Sequence, residues 1–151
     1  MKVFLAADHR GFTLKEELKS WLEEEGREVV DLGAESLVED DDYSQYGIKL
    51  GEAVEAEPGS FGVGVCGSGI GMAVAANKVR SVRTGLVHDV EIVKIGRSDD
   101  NMNVLALGAD FISLEQAKEV VRVFLDTAFV NNERHQRRLN EISAYECRDV
   151  L

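Results

Sequence analysis

Short apolar runs alternate with amphipathic segments along the whole chain, and this alternation limits the possible folds more than any other feature. Val3 to Ala7 is an apolar run typical of a buried strand, and Leu14, Leu18 and Leu22 then recur at helical spacing until Gly26. The same order of strand and helix repeats to the end of the chain. We therefore predict an α/β fold built on a parallel sheet.

The pattern predicts strands at 3–7, 28–32, 61–66, 81–87 and 104–107, with helices between them and a C-terminal helix from about Asn132. Five strands joined by helical crossovers favour a Rossmann-like, doubly wound parallel sheet with flanking helices, and we expect the strand order 2-1-3-4-5. With 151 residues, of which 44% are hydrophobic, we expect one domain over residues 1–151.

Charge and cysteine content exclude several classes of partner. The chain has 17 basic and 28 acidic residues, a formal charge of -11, which disfavours nucleic acid and anionic membranes. No apolar run approaches the roughly 20 residues of a membrane span, so we expect a cytoplasmic protein without a membrane partner. Cys66 and Cys147 lack the spacing of a zinc site, and no metal is predicted. The acidic runs 23–25 and 39–42 are interpreted as solvated surface.

Ligands of a doubly wound sheet bind beyond the carboxyl ends of its strands, here at residues 8–11 and 66–71. Gly67, Gly69 and Gly71 lie between a strand and a helix, where backbone amides can converge on an anion. A tight turn that needs small residues is the alternative. The backbone amides and the helix dipole at this position would favour the thiolate form of Cys66. A buried, inert cysteine is the alternative.

Two further groups are candidates for binding or proton transfer. Asp8 and His9, after the first strand, could bind hydroxyls or move protons, or could be a cap and a polar loop residue. Arg134 and Arg138 project from one face of the last helix. Cations near a helix amino terminus oppose its dipole, which suggests that an anion offsets them, although a solvated helix start is the alternative.

Several familiar motifs are incomplete here. A tyrosine-phosphatase loop needs arginine where Met72 stands, a receiver domain needs aspartate where Cys66 stands, and the phosphate-binding G-K-[ST] ending is absent. A G-x-G-x-x-G pattern at Gly62, Gly64 and Gly67 lies mostly inside the third predicted strand. A nucleotide-binding module that uses this pattern and Asp89 is kept as a separate alternative.

A thiolate, an amide cradle, polar groups for hydroxyls and two arginines together suit proton abstraction beside the carbonyl of a phosphorylated sugar. A base removes the carbon-bound proton, and the cradle stabilises the enediolate oxygen. This chemistry requires no metal and no organic cofactor.

Seven motifs resemble those of the type B ribose-5-phosphate isomerases and the related galactose- and allose-6-phosphate isomerases, over nearly the whole chain. They are D-H-R-G-F-x-L-K at 8–15, D-L-G at 31–33, D-Y at 42–43, C-G-S-G-I-G at 66–71, A-A-N-K at 75–78, N-V-L-A-L-G at 103–108 and R-H-Q-R-R at 134–138. The resemblance implies an aldose-ketose isomerase, with ribose 5-phosphate to ribulose 5-phosphate the leading reaction.

The resemblance also implies a role for each site residue. Cys66 would be the base, and Ser68 with the amides of Gly67, Gly69 and Gly71 would hold the enediolate. Asp8 and Tyr43 would bind sugar hydroxyls, whereas the phosphate would be held by His9, Arg134 and Arg138. Active sites would lie between the subunits of a homodimer or of a tetramer made of two dimers.

The chain departs from the family pattern at two functional positions. Asp99 stands where the family has the histidine assigned to ring opening, and we include Asp99 as catalytic and Asp100 as substrate-binding. Asp110 stands where many members have a phosphate-binding arginine. A carboxylate facing the phosphate would repel it, which leaves three alternatives. The Asp110 side chain points elsewhere, Arg10 or Arg137 compensates for its charge, or the substrate is positioned differently from ribose 5-phosphate. The alternative function is therefore a diverged member that acts on allose or galactose 6-phosphate, or binds sugar phosphate without turnover.

Overall fold

The computed structural model describes residues 1–148 and contains one five-stranded parallel sheet with helices on both faces. The strands are β1 (Lys2–Ala7), β2 (Glu28–Asp31), β3 (Phe61–Cys66), β4 (Thr84–Leu86) and β5 (Val104–Gly108). The helices are α1 (Phe12–Glu24), α2 (Tyr43–Ala56), α3 (Ile70–Ala76), α4 (Val90–Asp100), α5 (Leu114–Asp126) and α6 (Glu133–Glu146). The predicted fold class is confirmed.

The order of the last two strands was predicted wrongly. The sheet runs β2-β1-β3-β5-β4, so β5 lies beside β3 and β4 forms the edge. Burial explains this arrangement, because every residue of β5 is buried whereas the three residues of β4 are half-buried or exposed. A short strand with one open side suits a sheet edge.

The fourth strand is also shorter than the predicted 81–87. Ser81 adopts φ 64°, in the left-handed region, and so cannot extend the strand. Arg83 then donates from its side chain to the carbonyls of Ser81 and Asn101, which fixes the loop before β4.

Alternate strand residues build the core on the two faces of the sheet. On one face Leu5, Val63 and Leu105 pack with α1, α4 and α5, and on the other Phe4 and Val104 pack with α2 and α3. This is the two-residue period of a strand buried on both faces.

A buried lysine ties α1 to the end of β2. The Lys15 side chain is fully buried, and its Nζ lies 2.5 Å from carboxylate oxygens of Asp31 and Glu16. Burial acts to raise the pKa of Asp31, but hydrogen bonds from Lys15 and from the Gly33 amide outweigh it and hold that pKa below its ordinary value. The D-L-G motif and the lysine of the first motif thus meet in one structural ion pair.

Candidate active site

The turn between β3 and α3 places Cys66 at the carboxyl edge of the sheet. The register pairs Ala7 with Val65, so Asp8 and Cys66 follow on neighbouring strands. The Gly69 amide donates to Cys66 Sγ at 3.1 Å. Cys66 is only 3% exposed and packs against Met72. The thiol lies at the predicted end of the strand and accepts one backbone hydrogen bond. Because it is buried, a structural cysteine without a chemical role remains the alternative.

Each of the three alternate glycines allows a close approach that a side chain would block. A Cβ on Gly67 would overlap the Arg10 guanidinium, and a Cβ on Gly71 would lie 2.6 Å from the Tyr43 ring. Gly69 adopts φ 77°, and its Cβ would lie 2.9 Å from backbone atoms of β5. The glycines therefore bring Arg10 and Tyr43 against the loop. These three glycines thus serve at least partly to allow close packing.

Asp8 holds the turn between β1 and α1. It is 5% exposed, and its Oδ1 accepts hydrogen bonds from the amides of Arg10 and Gly11 at 3.0 Å each. This is the capping role that was the alternative for Asp8. Asp8 nevertheless follows β1 at the point where Cys66 ends the neighbouring β3.

Ser68 and Tyr43 are the more accessible members of this group. Ser68 is half-buried, and its Oγ accepts a hydrogen bond from the Ile70 amide at 3.3 Å. Tyr43 begins α2 and is 46% exposed. Both side chains can therefore meet a ligand that lies over the loop.

His9 is held by a carboxylate from the acidic loop before α2. Its backbone amide and its ring Nδ1 both lie 2.8 Å from Asp41 Oδ1. Because a carboxylate only accepts hydrogen bonds, Nδ1 carries the proton. The hydrogen bond with Asp41 outweighs desolvation and raises the pKa of His9, and the charge of Asp8 adds to the effect. His9 therefore carries a positive charge at higher pH than an ordinary histidine.

Asp110 is neutralised by Arg10. The Arg10 guanidinium, which lies over Gly67, forms an ion pair with the Asp110 carboxylate. Of the three outcomes considered, the structure favours compensation by Arg10. The pair spans the loops after β1 and β5, so the carboxylate does not face the glycine loop as an unpaired charge.

The remaining predicted site residues lie at the other edge of the sheet. Asp99 and Asp100 end α4, just before β5 begins, and Arg134 and Arg138 lie on the first turns of α6. Asp99 Oδ2 is 3.7 Å from Nε2 of His135, a residue that is 4% exposed and whose Nε2 has no hydrogen-bond partner among residues 1–148.

Within one chain these two groups are separated by the length of β5. Five residues at about 3.3 Å each place Asp99 roughly 16 Å from the edge where Cys66 lies. Within residues 1–148 the predicted site residues therefore form two separate groups. The structure brings together Cys66, Ser68, Asp8, His9 and Tyr43, and it does not bring Asp99, Asp100, Arg134 or Arg138 to them.

The features that suggested a nucleotide site have packing roles. Gly62 and Gly64 lie inside β3, where a Cβ on Gly64 would lie 2.5 Å from Met72 on α3. Asp89 caps α4 by accepting from the Ile92 amide at 3.0 Å. His88 Nε2 accepts a hydrogen bond from the Gly108 amide at 2.9 Å, which fixes the loop after β4 against the end of β5.

Residues 1–148 contain no group of three or more His, Cys, Asp or Glu residues placed to hold a metal ion. None of the helices in this range is both long and apolar enough to cross a membrane.

Comparison with known proteins assigns the sequence and the fold to a family. The sequence pattern of the family described as Ribose/Galactose Isomerase matches residues 3–142. The chain belongs to this family. The protein named probable ribose-5-phosphate isomerase B in Mycoplasma pneumoniae is 36% identical over 144 residues, which are 95% of this chain and 94% of that protein.

Two further members of the ribose/galactose isomerase family are similar over the same length. Ribose-5-phosphate isomerase B of Mycolicibacterium paratuberculosis is 36% identical, over 97% of this chain and 92% of that protein. The crystal structure of ribose-5-phosphate isomerase B from Mycoplasma genitalium with bound ribulose-5-phosphate has a TM-score of 0.91 and 35% identity, and covers 96% of this chain and 95% of that chain. The family assignment therefore rests on both sequence and fold.

Asp41 was missed as a site residue by the sequence analysis. It belongs to the acidic run 39–42, which was interpreted as solvated, yet its side chain is only 10% exposed. Charge density alone does not distinguish it from Asp40, which is exposed. A useful signal would have been its position directly before Asp42-Tyr43, because that motif brings the loop to the carboxyl edge.

Proposed function

We propose that this member of the ribose/galactose isomerase family interconverts ribose 5-phosphate and ribulose 5-phosphate through an enediolate, without a cofactor. One observation carries the proposal: Cys66 ends β3 beside Asp8, with the Gly69 amide donating to its sulfur. A sulfur stabilised by an N–H donor can accept a proton from carbon, and neighbouring amides can bind the oxygen that becomes negative.

The proposed reaction divides the work among the residues of the carboxyl edge. Cys66 moves the proton between C1 and C2, and Ser68 with the amides of Gly67, Gly69 and Gly71 stabilises the enediolate oxygen. Asp8 and Tyr43 bind sugar hydroxyls. The proton that leaves C2 returns to C1 by way of the Cys66 sulfur, and the proton of the C2 hydroxyl moves to the C1 oxygen, so the reaction balances within the substrate.

We further propose that the phosphate and ring-opening groups come from a second copy of this chain, in a homodimer or a tetramer of two dimers. In one chain Arg134, Arg138, Asp99 and Asp100 lie at the opposite edge from Cys66. They can complete the site only if another copy places its amino edge over this carboxyl edge. His9 then shares the phosphate with the two arginines.

An exposed apolar surface supports this assembly. A groove of about 500 Å³ lies between β4, α4 and α6, and Ile92, Ile95 and Ile142 line it. These three side chains are at least half exposed. This groove is largely uncovered within the chain, and a second copy would remove it from water.

The proposal is tested by offering the purified protein ribose 5-phosphate, allose 6-phosphate and galactose 6-phosphate and measuring the ketose formed. Conversion of ribose 5-phosphate is expected to be fastest. Faster conversion of allose 6-phosphate or galactose 6-phosphate would show that the proposed substrate is wrong. Calorimetric binding of ribose 5-phosphate with no ketose formed would contradict the reaction and favour a sugar-phosphate-binding protein.

A further inference from the structure

The loop before α2 places the Asp41 carboxylate at the carboxyl edge, and the proposed reaction gives this carboxylate no role. Asp41 receives two hydrogen bonds from His9, one from the backbone amide and one from Nδ1, both at 2.8 Å. A carboxylate that is 10% exposed and receives both of these hydrogen bonds is a fixed anchor.

We propose that Asp41 is a positioning residue that holds the His9 ring by Nδ1 and presents Nε2 as a hydrogen-bond donor to the phosphate group of the substrate. The inference rests on the proposed function, because that function supplies the phosphate. With Nδ1–H donated to Asp41, Nε2 donates only while the ring is cationic. The adjacent carboxylate stabilises this cation.

The charges around His9 all act in the same direction. Asp41 faces the ring from the loop before α2, Asp8 acts on it from its own loop, and both raise the pKa of His9. Arg10, the next residue, is turned to Asp110 and does not compete for Asp41. In the proposed assembly, the arginines of the partner copy would approach from the far side of the phosphate.

This role also fits the departure at position 110. With Asp110 paired to Arg10, the loop after β5 supplies no free cation to a phosphate. A protonated His9 is then the cationic donor that the carboxyl edge itself offers. Its protonation near neutral pH therefore sets how well the phosphate is bound.

Asp41→Asn tests this role, because asparagine keeps the size and one acceptor oxygen of Asp41 but removes the charge. Asp40→Asn is the matched control: it removes the same charge from the neighbouring exposed position, where φ is 65° and asparagine is tolerated. Titration of the His9 ring by NMR, and KM and kcat for ribose 5-phosphate between pH 5.5 and 8.5, are measured in all three proteins.

In Asp41→Asn the pKa of His9 is expected to fall toward its ordinary value of 6.5, where about one ring in ten is protonated at pH 7.5. KM at pH 7.5 should then rise, by up to about tenfold, whereas KM near pH 5.5 and kcat at saturating substrate change little. Asp40→Asn should match the wild type. A His9 titration or KM profile in Asp41→Asn that superimposes on the wild type overturns the proposal, as does an equal shift in Asp40→Asn.

The two proposals fail separately. If the wild type converts no aldose phosphate, the proposed function is wrong, and inorganic phosphate becomes the probe. Phosphate should then shift the His9 resonances at pH 7.5 in the wild type and in Asp40→Asn, and shift them less in Asp41→Asn. Equal shifts in all three proteins overturn the role of Asp41.

Discussion

Replacement of Gly69 by alanine should damage both stability and turnover, for reasons that can be separated. Gly69 adopts φ 77°, a conformation that costs an alanine about 1 to 2 kcal/mol. The new Cβ would also lie 2.9 Å from the backbone of Leu107 and Gly108, which cannot rotate away, and such overpacking costs about 1 to 3 kcal/mol. We expect a total loss of about 2 to 5 kcal/mol in the free energy of unfolding, measured by urea denaturation.

Gly26→Ala isolates the backbone contribution. Gly26 adopts φ 76°, almost the same as Gly69, but nothing lies within 4 Å of its Cβ position. This variant should lose only about 1 to 2 kcal/mol and keep full turnover. In Gly69→Ala the relief of the clash also moves the amide that donates to Cys66, so kcat should fall by about 100-fold if the loop shifts by 1 Å. Equal stability of the two variants, with normal turnover in Gly69→Ala, would refute this account of the loop.

Further substitutions test Asp99, which stands where the family pattern has histidine, and the buried ion pair of Lys15 and Asp31. Asp99→His should raise kcat for ribose 5-phosphate by at least about tenfold, because imidazole is the better proton donor near neutral pH; a lower rate would show that Asp99 has its own role. Asp31→Asn should lose up to about 3 kcal/mol in the free energy of unfolding, measured by urea denaturation at pH 7, because the buried Lys15 keeps only Glu16 as a charged partner. Since the pKa of Asp31 is lowered by folding, its contribution is present above the ordinary value of 3.8 and is lost as pH falls below it, so the two proteins should converge in acid. Asp126→Asn, in the exposed pair with Arg27, should change stability by less than about 1 kcal/mol.

Local sequence pattern predicted the elements that carry the site. The bounds of β3 agree with the prediction, because Gly67 marks a clear end of the strand. The pattern could not rank β4 and β5 within the sheet. The local pattern of a strand does not set its place in a parallel sheet, and only the packing shows that β5 is buried while β4 lies at the edge.

The composition of the carboxyl edge was predicted in part. Cys66, Asp8 and the glycine loop follow from strand ends, which a parallel sheet brings together. The contact between Asp41 and His9 joins residues 32 positions apart through an irregular loop, and no periodicity encodes it. The sequence could not predict the pairing of Arg10 with Asp110 for the same reason.

The family resemblance, and not the pattern of the chain, placed Asp99 and the two arginines in the same site as Cys66. Within the chain they lie at the opposite edge of the sheet. Residue types and spacing describe one chain, and they do not indicate which surface of a second copy would meet it.

The most direct test of the proposed chemistry is kcat for ribose 5-phosphate in Cys66→Ser, with Cys147→Ser as the control because Cys147 is the other free cysteine and is exposed. If Cys66 is the base, kcat should fall by at least about 100-fold in Cys66→Ser and stay unchanged in Cys147→Ser. Turnover close to wild type in Cys66→Ser would contradict the account, and the 3%-exposed thiol would then be a packing residue.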